Sequence, residues 1–163
     1  MDETKPRCTV DEKALFTKFW TQEAKTTSKV ISRIPDSNNY KPDPKSRTAL
    51  EIAWQIVGEE KMLMESFESG KMDWKPGALP KTVKEVQAAY DKGSAAFIEL
   101  LNKMPANKWA GDIEFFGNKR PASDMAWSFL FDIVHHRGQI TTYLRPMGST
   151  VPKIYGPSAD EPM

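Results

Sequence analysis

Apolar residues recur at helical spacing in four long stretches, and proline or glycine breaks separate them. The first stretch runs from about Asp11 to Ile34, carries Leu15, Phe19, Ala24, Val30, Ile31 and Ile34, and ends at Pro35. The polar loop PDSNNYKPDPKS follows. A second stretch, about Arg47 to Ser69, places Ala49, Ile52, Ala53, Ile56, Leu63 and Phe67 close to a 3.6-residue repeat, with Ser46 available as its cap. After the break SGKMDWKPGALPK comes a third, about Thr82 to Met104, with Val83, Val86, Ala89, Tyr90, Phe97, Leu100 and Leu101; Gly93 weakens it locally. The fourth begins near Pro121–Ser123 and runs to about Leu144, where Arg145, Pro146 and Gly148 stop it. In the preceding connection the piece DIEFF reads either as a short extended segment or as a packed loop. No strand pattern recurs with the spacing of a sheet.

Four amphipathic helices predict an all-α fold, a four-helix bundle. The connections, about 12 to 18 residues long, are long for simple hairpins and predict a crossover over the bundle. The chain of 163 residues has the length of one domain, with residues 1–10 as a loose N-terminal arm and 146–163 as an extended tail.

Composition then removes several classes of function. Lys plus Arg total 23 against 22 for Asp plus Glu, a balance that supports neither nucleic-acid nor membrane-surface binding. No apolar run approaches the roughly 20 residues of a spanning helix. The N-terminal MDETKPRCTVDEK is too charged for a secretory signal. The single cysteine, Cys8, cannot form an internal disulfide, which fits a reducing cytoplasm, and it reads as a bystander rather than a nucleophile.

The chemistry gathers in the fourth helix. Its two histidines, His135 and His136, are the only ones in the chain. At 100° per residue, Ala126, Leu130, Ile133, Ile140 and Leu144 form the buried arc. Asp132, His136, Gln139 and Tyr143 fall along one flank of it, and His135 points away. Asp132 and His136 lie one turn apart and can reach a common point, such as a metal ion; equally, His136 can serve structurally by bonding Asp132. Tyr143 reads as packing at the core edge. Arg137 falls near the middle of the apolar arc, where a guanidinium requires a carboxylate, and Glu51, Glu59 and Glu60 of the second helix are its expected partners. Glu59 and Glu60, being adjacent, diverge by about 100° and do not form a paired-carboxylate site.

The segment His136-Arg137-Gly138-Gln139, then Tyr143-Leu144-Arg145, Gly148, Val151-Pro152 and Ile154-Tyr155-Gly156-Pro157-Ser158 resembles the C-terminal part of DinB-like proteins. The stretch ALEIAWQIVGEEKML is similar to the second characteristic segment of that family. The resemblance implies a four-helix bundle with a long crossover, often a homodimer. It also implies a divalent metal, commonly zinc or nickel, on three histidines: one from the second helix and a His-x-x-x-His pair ending before Arg-Gly-Gln. Carried over by position, those ligands become Gln55, Asp132 and His136, so only one histidine remains. Characterised DinB-like relatives include thiol-dependent transferases. The resemblance thus implies a metal-dependent transferase or hydrolase acting on a small-molecule substrate or thiol, with Arg137 or Tyr143 orienting an anionic substrate. The alternative is a metal-free bundle that binds a small molecule or a partner and has lost the chemistry.

Overall fold

In the computed structural model, which describes residues 10–163, the chain forms four long helices, one short helix and a two-stranded hairpin. Cys8 lies outside the described residues. Helix α1 spans Glu12–Ile31, α2 Ala49–Ser69, α3 Val83–Lys103, α4 Ala106–Trp109 and α5 Ala122–Leu144; β1 is Asp112–Phe115 and β2 Asn118–Pro121. The four predicted segments are therefore α1, α2, α3 and α5. Local chemistry sets their starts. Asp11 accepts from the Ala14 amide at 3.0 Å. Thr48–Glu51 and Thr82–Glu85 form reciprocal capping boxes. Thr48, not Ser46, therefore caps α2, because Glu51 three residues on can return the hydrogen bond to its backbone.

The apolar faces predicted for α2 and α5 are buried in full. In the first segment Ala24, Val30, Ile31 and Ile34 are buried as expected, but in the first two turns of α1 the face is displaced by one residue. Phe16 and Trp20 are buried, whereas Leu15 and Phe19 are partly exposed. The larger rings take the interior, where Phe16 contacts Trp109 with centroids 5.0 Å apart and Trp20 meets Phe97 edge-on at 4.7 Å.

Helix α1 packs on α3 and α5, and α2 packs on the same two, so α1 and α2 are diagonal across the bundle. The α1–α2 connection therefore crosses over, and on its way Tyr40 meets Tyr143 of α5 edge-on at 5.6 Å. Gly58 permits close approach of the α2–α3 connection: a Cβ there would lie 3.0 Å from the Trp74 ring.

The DIEFF piece is the first strand of a hairpin. Phe115 pairs with Asn118 around a two-residue turn, and both turn residues, Phe116 and Gly117, have positive φ. The hairpin is tied down at both ends. Met72 N–H donates to Glu114 O at 2.9 Å, Glu114 N–H to Gly70 O at 2.8 Å, and Ala122 N–H to Gly111 O at 2.8 Å.

The tail beyond α5 has no regular structure but is anchored to α1. Glu161 takes Lys29 at 2.7 Å, Arg33, and the Lys153 amide at 2.9 Å. Those donors, the backbone amide foremost, hold the Glu161 carboxyl down to about 2. A lowered carboxyl favours the docked tail above the ordinary range near 4.5 and loses that contribution as pH falls towards about 2. Hydrogen exchange of the Lys153 amide is expected to accelerate over that acid interval. Glu161→Gln should show the faster exchange already at neutral pH; protection unchanged by either would remove Glu161 as the anchor.

Candidate metal centre

Among the described residues, two carboxyl groups, one imidazole and one guanidinium are buried in the bundle: Glu59 and Glu60 on α2, His136 and Arg137 on α5. Each pair is adjacent in sequence, so the helical turn sends its members to different neighbours. Glu59 and His136 meet in the seam between α2 and α5. Glu60 faces α3, and Arg137 faces α1.

In the seam, His136 Nε2 lies 3.6 Å from Glu59 Oε1 and 3.7 Å from Asp132 Oδ2. Donor atoms from Glu59, Asp132 and His136 all fall within 4.8 Å of one another. Gln55 sits among them. Its Nε2 donates to Glu59 Oε1 at 2.6 Å and approaches His136 Nε2 at 2.7 Å. Gln139 orients the ring from the far side: His136 Nδ1–H donates to Gln139 Oε1 at 3.0 Å, which leaves the Nε2 lone pair facing the seam. The Gln139 amide nitrogen contacts His135 Nε2 at 3.2 Å, so one side chain addresses both imidazoles although His135 itself is exposed. A direct His136–Asp132 hydrogen bond is absent, since the pair is too far apart.

This donor set suits a cation. Ligands bound to one ion at about 2.1 Å stand about 3.4 Å apart at the corners of a tetrahedron, close to the separations seen. Two atoms in the seam, Gln55 Oε1 and Glu59 Oε2, are buried without a hydrogen-bond partner. Burial raises the Glu59 carboxyl to about 7, and the nearby Asp132 charge pushes the same way, while the Gln55 hydrogen bond opposes them. A divalent cation would relieve both the desolvation and the like-charge repulsion. With one imidazole and two carboxylates, the set is richer in oxygen than three histidines and matches harder divalent ions better.

Of the residues expected from sequence, Gln55, Asp132 and His136 are thus brought together. Glu59 is the member that sequence reasoning set aside. It was legible as the residue one turn beyond Gln55, on the same face of α2. Asp132 is exposed and opens the seam onto a cavity of about 560 Å³, also bordered by His135, Phe129, Phe131 and Arg120.

Arg137 is placed differently from expectation. Its partner is Glu23 of α1, not Glu51, Glu59 or Glu60, because the 100° step from His136 turns it away from α2. Arg137 Nη1 lies 2.5 Å from Glu23 Oε2, and Nη2 donates to Tyr155 Oη at 2.7 Å. Tyr155 Oη donates to the same Glu23 oxygen at 2.8 Å, closing a triangle of α1, α5 and tail. Tyr143 is buried against Tyr40.

Glu60 faces Gly93 and Ser94 of α3. A Cβ at Gly93 would stand 3.1 Å from Glu60 Oε1, so the glycine that weakens α3 makes room for the carboxyl. Burial raises Glu60 to about 8, with Ser94 and Trp20 offsetting this in part.

A sequence model described as the DinB family matches residues 7–163. The uncharacterized protein YrdA of Bacillus subtilis (strain 168) is 27% identical over 152 residues, covering 90% of this chain and 89% of that one. The crystal structure of a DinB-like protein from Bacillus cereus ATCC 10987 superposes with a TM-score of 0.76 at 28% identity, over 86% of this chain and 95% of that one. A second DinB-like protein, from Bacillus subtilis, gives 0.72 at 18% identity over 86% and 96%, a likeness of fold.

Two stability measurements check the buried charges. Arg137→Ala leaves Glu23 without its cation and is expected to cost on the order of 3–5 kcal/mol in urea denaturation; a loss below about 1 kcal/mol would show the pair to be unimportant. For Glu60, the folded state keeps a proton that the unfolded chain releases above about 4.5, so stability falls as pH rises to about 8 and then levels. Glu60→Gln should abolish that slope and gain on the order of 2–4 kcal/mol relative to wild type between pH 5 and pH 8. Parallel pH profiles for the two proteins would contradict it.

Proposed function

The chain belongs to the DinB family, and from that premise we propose that it is a divalent-metal-dependent enzyme that acts on a small molecule. The observation that carries this reading is the gathering of donor atoms from Glu59, Asp132 and His136 within 4.8 Å of one another, beside a cavity. Gln55 is the fourth member; turning its amide would bring the unpartnered Oε1 to the same point. A bound cation would supply Lewis acidity able to activate a water or a low-molecular-weight thiol near neutral pH. Zinc, nickel or a harder divalent ion such as manganese or iron fits the donor types.

The protein's own groups set the geometry. Gln139 fixes the His136 tautomer so that Nε2 is free to ligate. Glu59, the buried carboxylate, supplies an oxygen from the closed side of the seam, and Asp132 supplies one from the open side, where a substrate enters. Arg137 and Tyr143 act at a distance: the first clamps α5 to α1, and the second seats the α1–α2 crossover on α5. The reaction class that fits is thiol transfer, with hydrolysis as the simpler variant. The homodimer of the family and a cytoplasmic location belong to the same proposal.

One observation favours the metal-free alternative. The Gln55 amide nitrogen already engages Glu59 and His136, which holds the seam together without an ion.

Metal titration separates the two. Tag-free protein is expected to bind about one equivalent of zinc or manganese and to melt at a higher temperature in its presence. Glu59→Gln, Asp132→Asn and His136→Ala should each weaken binding at least about tenfold. Failure of wild type to bind any of zinc, nickel, manganese or iron stoichiometrically would leave the binding-module reading.

A further inference from the structure

The cavity that meets Asp132 is not uniformly apolar, and its one permanent cation comes from the hairpin. In the register of β1 and β2, Arg120 stands directly opposite Ile113. Directly opposed residues project from the same face of a ribbon, and Ile113 is buried, so Arg120 leaves the face turned towards the bundle. The same face carries Phe115, which packs edge-on against Phe129 of α5 at 6.2 Å. Whereas Arg33, Arg137 and Arg145 are each held by a carboxylate, Arg120 forms no ion pair among the described residues. The exposed Arg120 borders the cavity instead.

Resting on the metal-centre reading above, we propose that this cavity selects a small monocarboxylate with an apolar body, its carboxylate held by Arg120 and its other end directed at the Asp132 side. Three features converge on that chemistry. First, the walls between the two poles are Phe115, Met125, Phe129 and Phe131, which suit an aryl or branched alkyl group. Second, the charge balance asks for one anion. Glu59 and Asp132 neutralise a divalent ion, and Arg120 then leaves the cavity with one positive charge. Third, a guanidinium fork matches a carboxylate with two parallel hydrogen bonds. The hairpin that presents Arg120 is anchored to Gly70, Met72 and Gly111 through backbone hydrogen bonds, and Lys71 pairs with Glu114 at 3.0 Å, so the fork has a fixed mount. The volume of about 560 Å³ is that of a small-molecule site.

The test uses phenylacetate, its neutral amide and phenyl phosphate, titrated by NMR against the full chain with and without zinc. Phenylacetate is expected to shift amides of β2 and of α5 near Phe129, and to bind about tenfold more tightly than the amide. Arg120→Gln should erase that preference while metal titration of the same variant matches wild type, and Arg120→Lys should keep part of it. Equal binding of acid and amide, a preference that survives in Arg120→Gln, tighter binding of phenyl phosphate, or no binding of any probe would each overturn the assignment. A wild type that takes no metal yet discriminates acid from amide through Arg120 would sink the metalloenzyme reading and leave the carboxylate site standing.

Discussion

The buried carboxyl groups, imidazole and guanidinium of Glu59, Glu60, His136 and Arg137 form the constraint that the rest of the structure answers. Removing a carboxylate, a guanidinium or an imidazole from water costs several kcal/mol unless a partner compensates. The bundle meets that cost on three sides. Arg137 is matched by Glu23 and Tyr155, which commits α1 and the tail to α5. Glu60 is accommodated by keeping its proton and by the missing side chain at Gly93. Glu59 and His136 are compensated only in part, by two glutamines, and that remainder is where the proposed function is placed. A site with unbalanced charge and unsatisfied atoms is what a ligand can complete.

The helices were legible because burial on one face imposes a 3.6-residue period, and α2 and α5 keep it without interruption. At the start of α1 the period was right and the phase was not, whereas Ala24, Val30 and Ile31 farther along are buried as expected. Leu15–Phe19 and Phe16–Trp20 both recur at four residues, and only the packing of Trp20 against Phe97 and Phe16 against Trp109 decides between them. The hairpin was hidden for a different reason. Its turn, Phe116-Gly117, lacks the Asn-Gly or Asp-Gly signal, and a phenylalanine with φ of 47° contradicts local preference. That conformation persists because backbone bonds to Gly70 and Gly111 hold both strands from outside the turn.

At the site, Asp132, His136 and Gln55 were read from spacing and from family likeness, whereas Glu59 was set aside although its spacing from Gln55 was visible. The argument that adjacent glutamates diverge is correct, and the structure obeys it. Divergence rules out one site holding both residues; it does not rule out two sites holding one each. The same step separates His136 from Arg137, and it explains why the guanidinium found Glu23 on α1 rather than any acid on α2. Glu23 could not be chosen in advance, since nothing local specifies which helices are neighbours. That information lies in the diagonal placement of α1 and α2.

For the proposed metal centre, oxygen donors in place of imidazoles would change what a bound ion could do. Three neutral imidazoles would leave a divalent ion with its full charge, attractive to any anion that arrived. Two carboxylates cancel that charge, so the ion itself no longer attracts an anionic substrate. Anion selection must then come from a group outside the coordination sphere. The hairpin borders the same cavity as Asp132 and supplies Arg120, which forms no ion pair among the described residues. In the proposed site, an ion neutralised by two carboxylates would leave recognition of an anion to the Arg120 cation on the hairpin. An arrangement of this kind would separate activation, at the seam of α2 and α5, from recognition, on a ribbon whose Ile113 and Phe115 fix it to the bundle core.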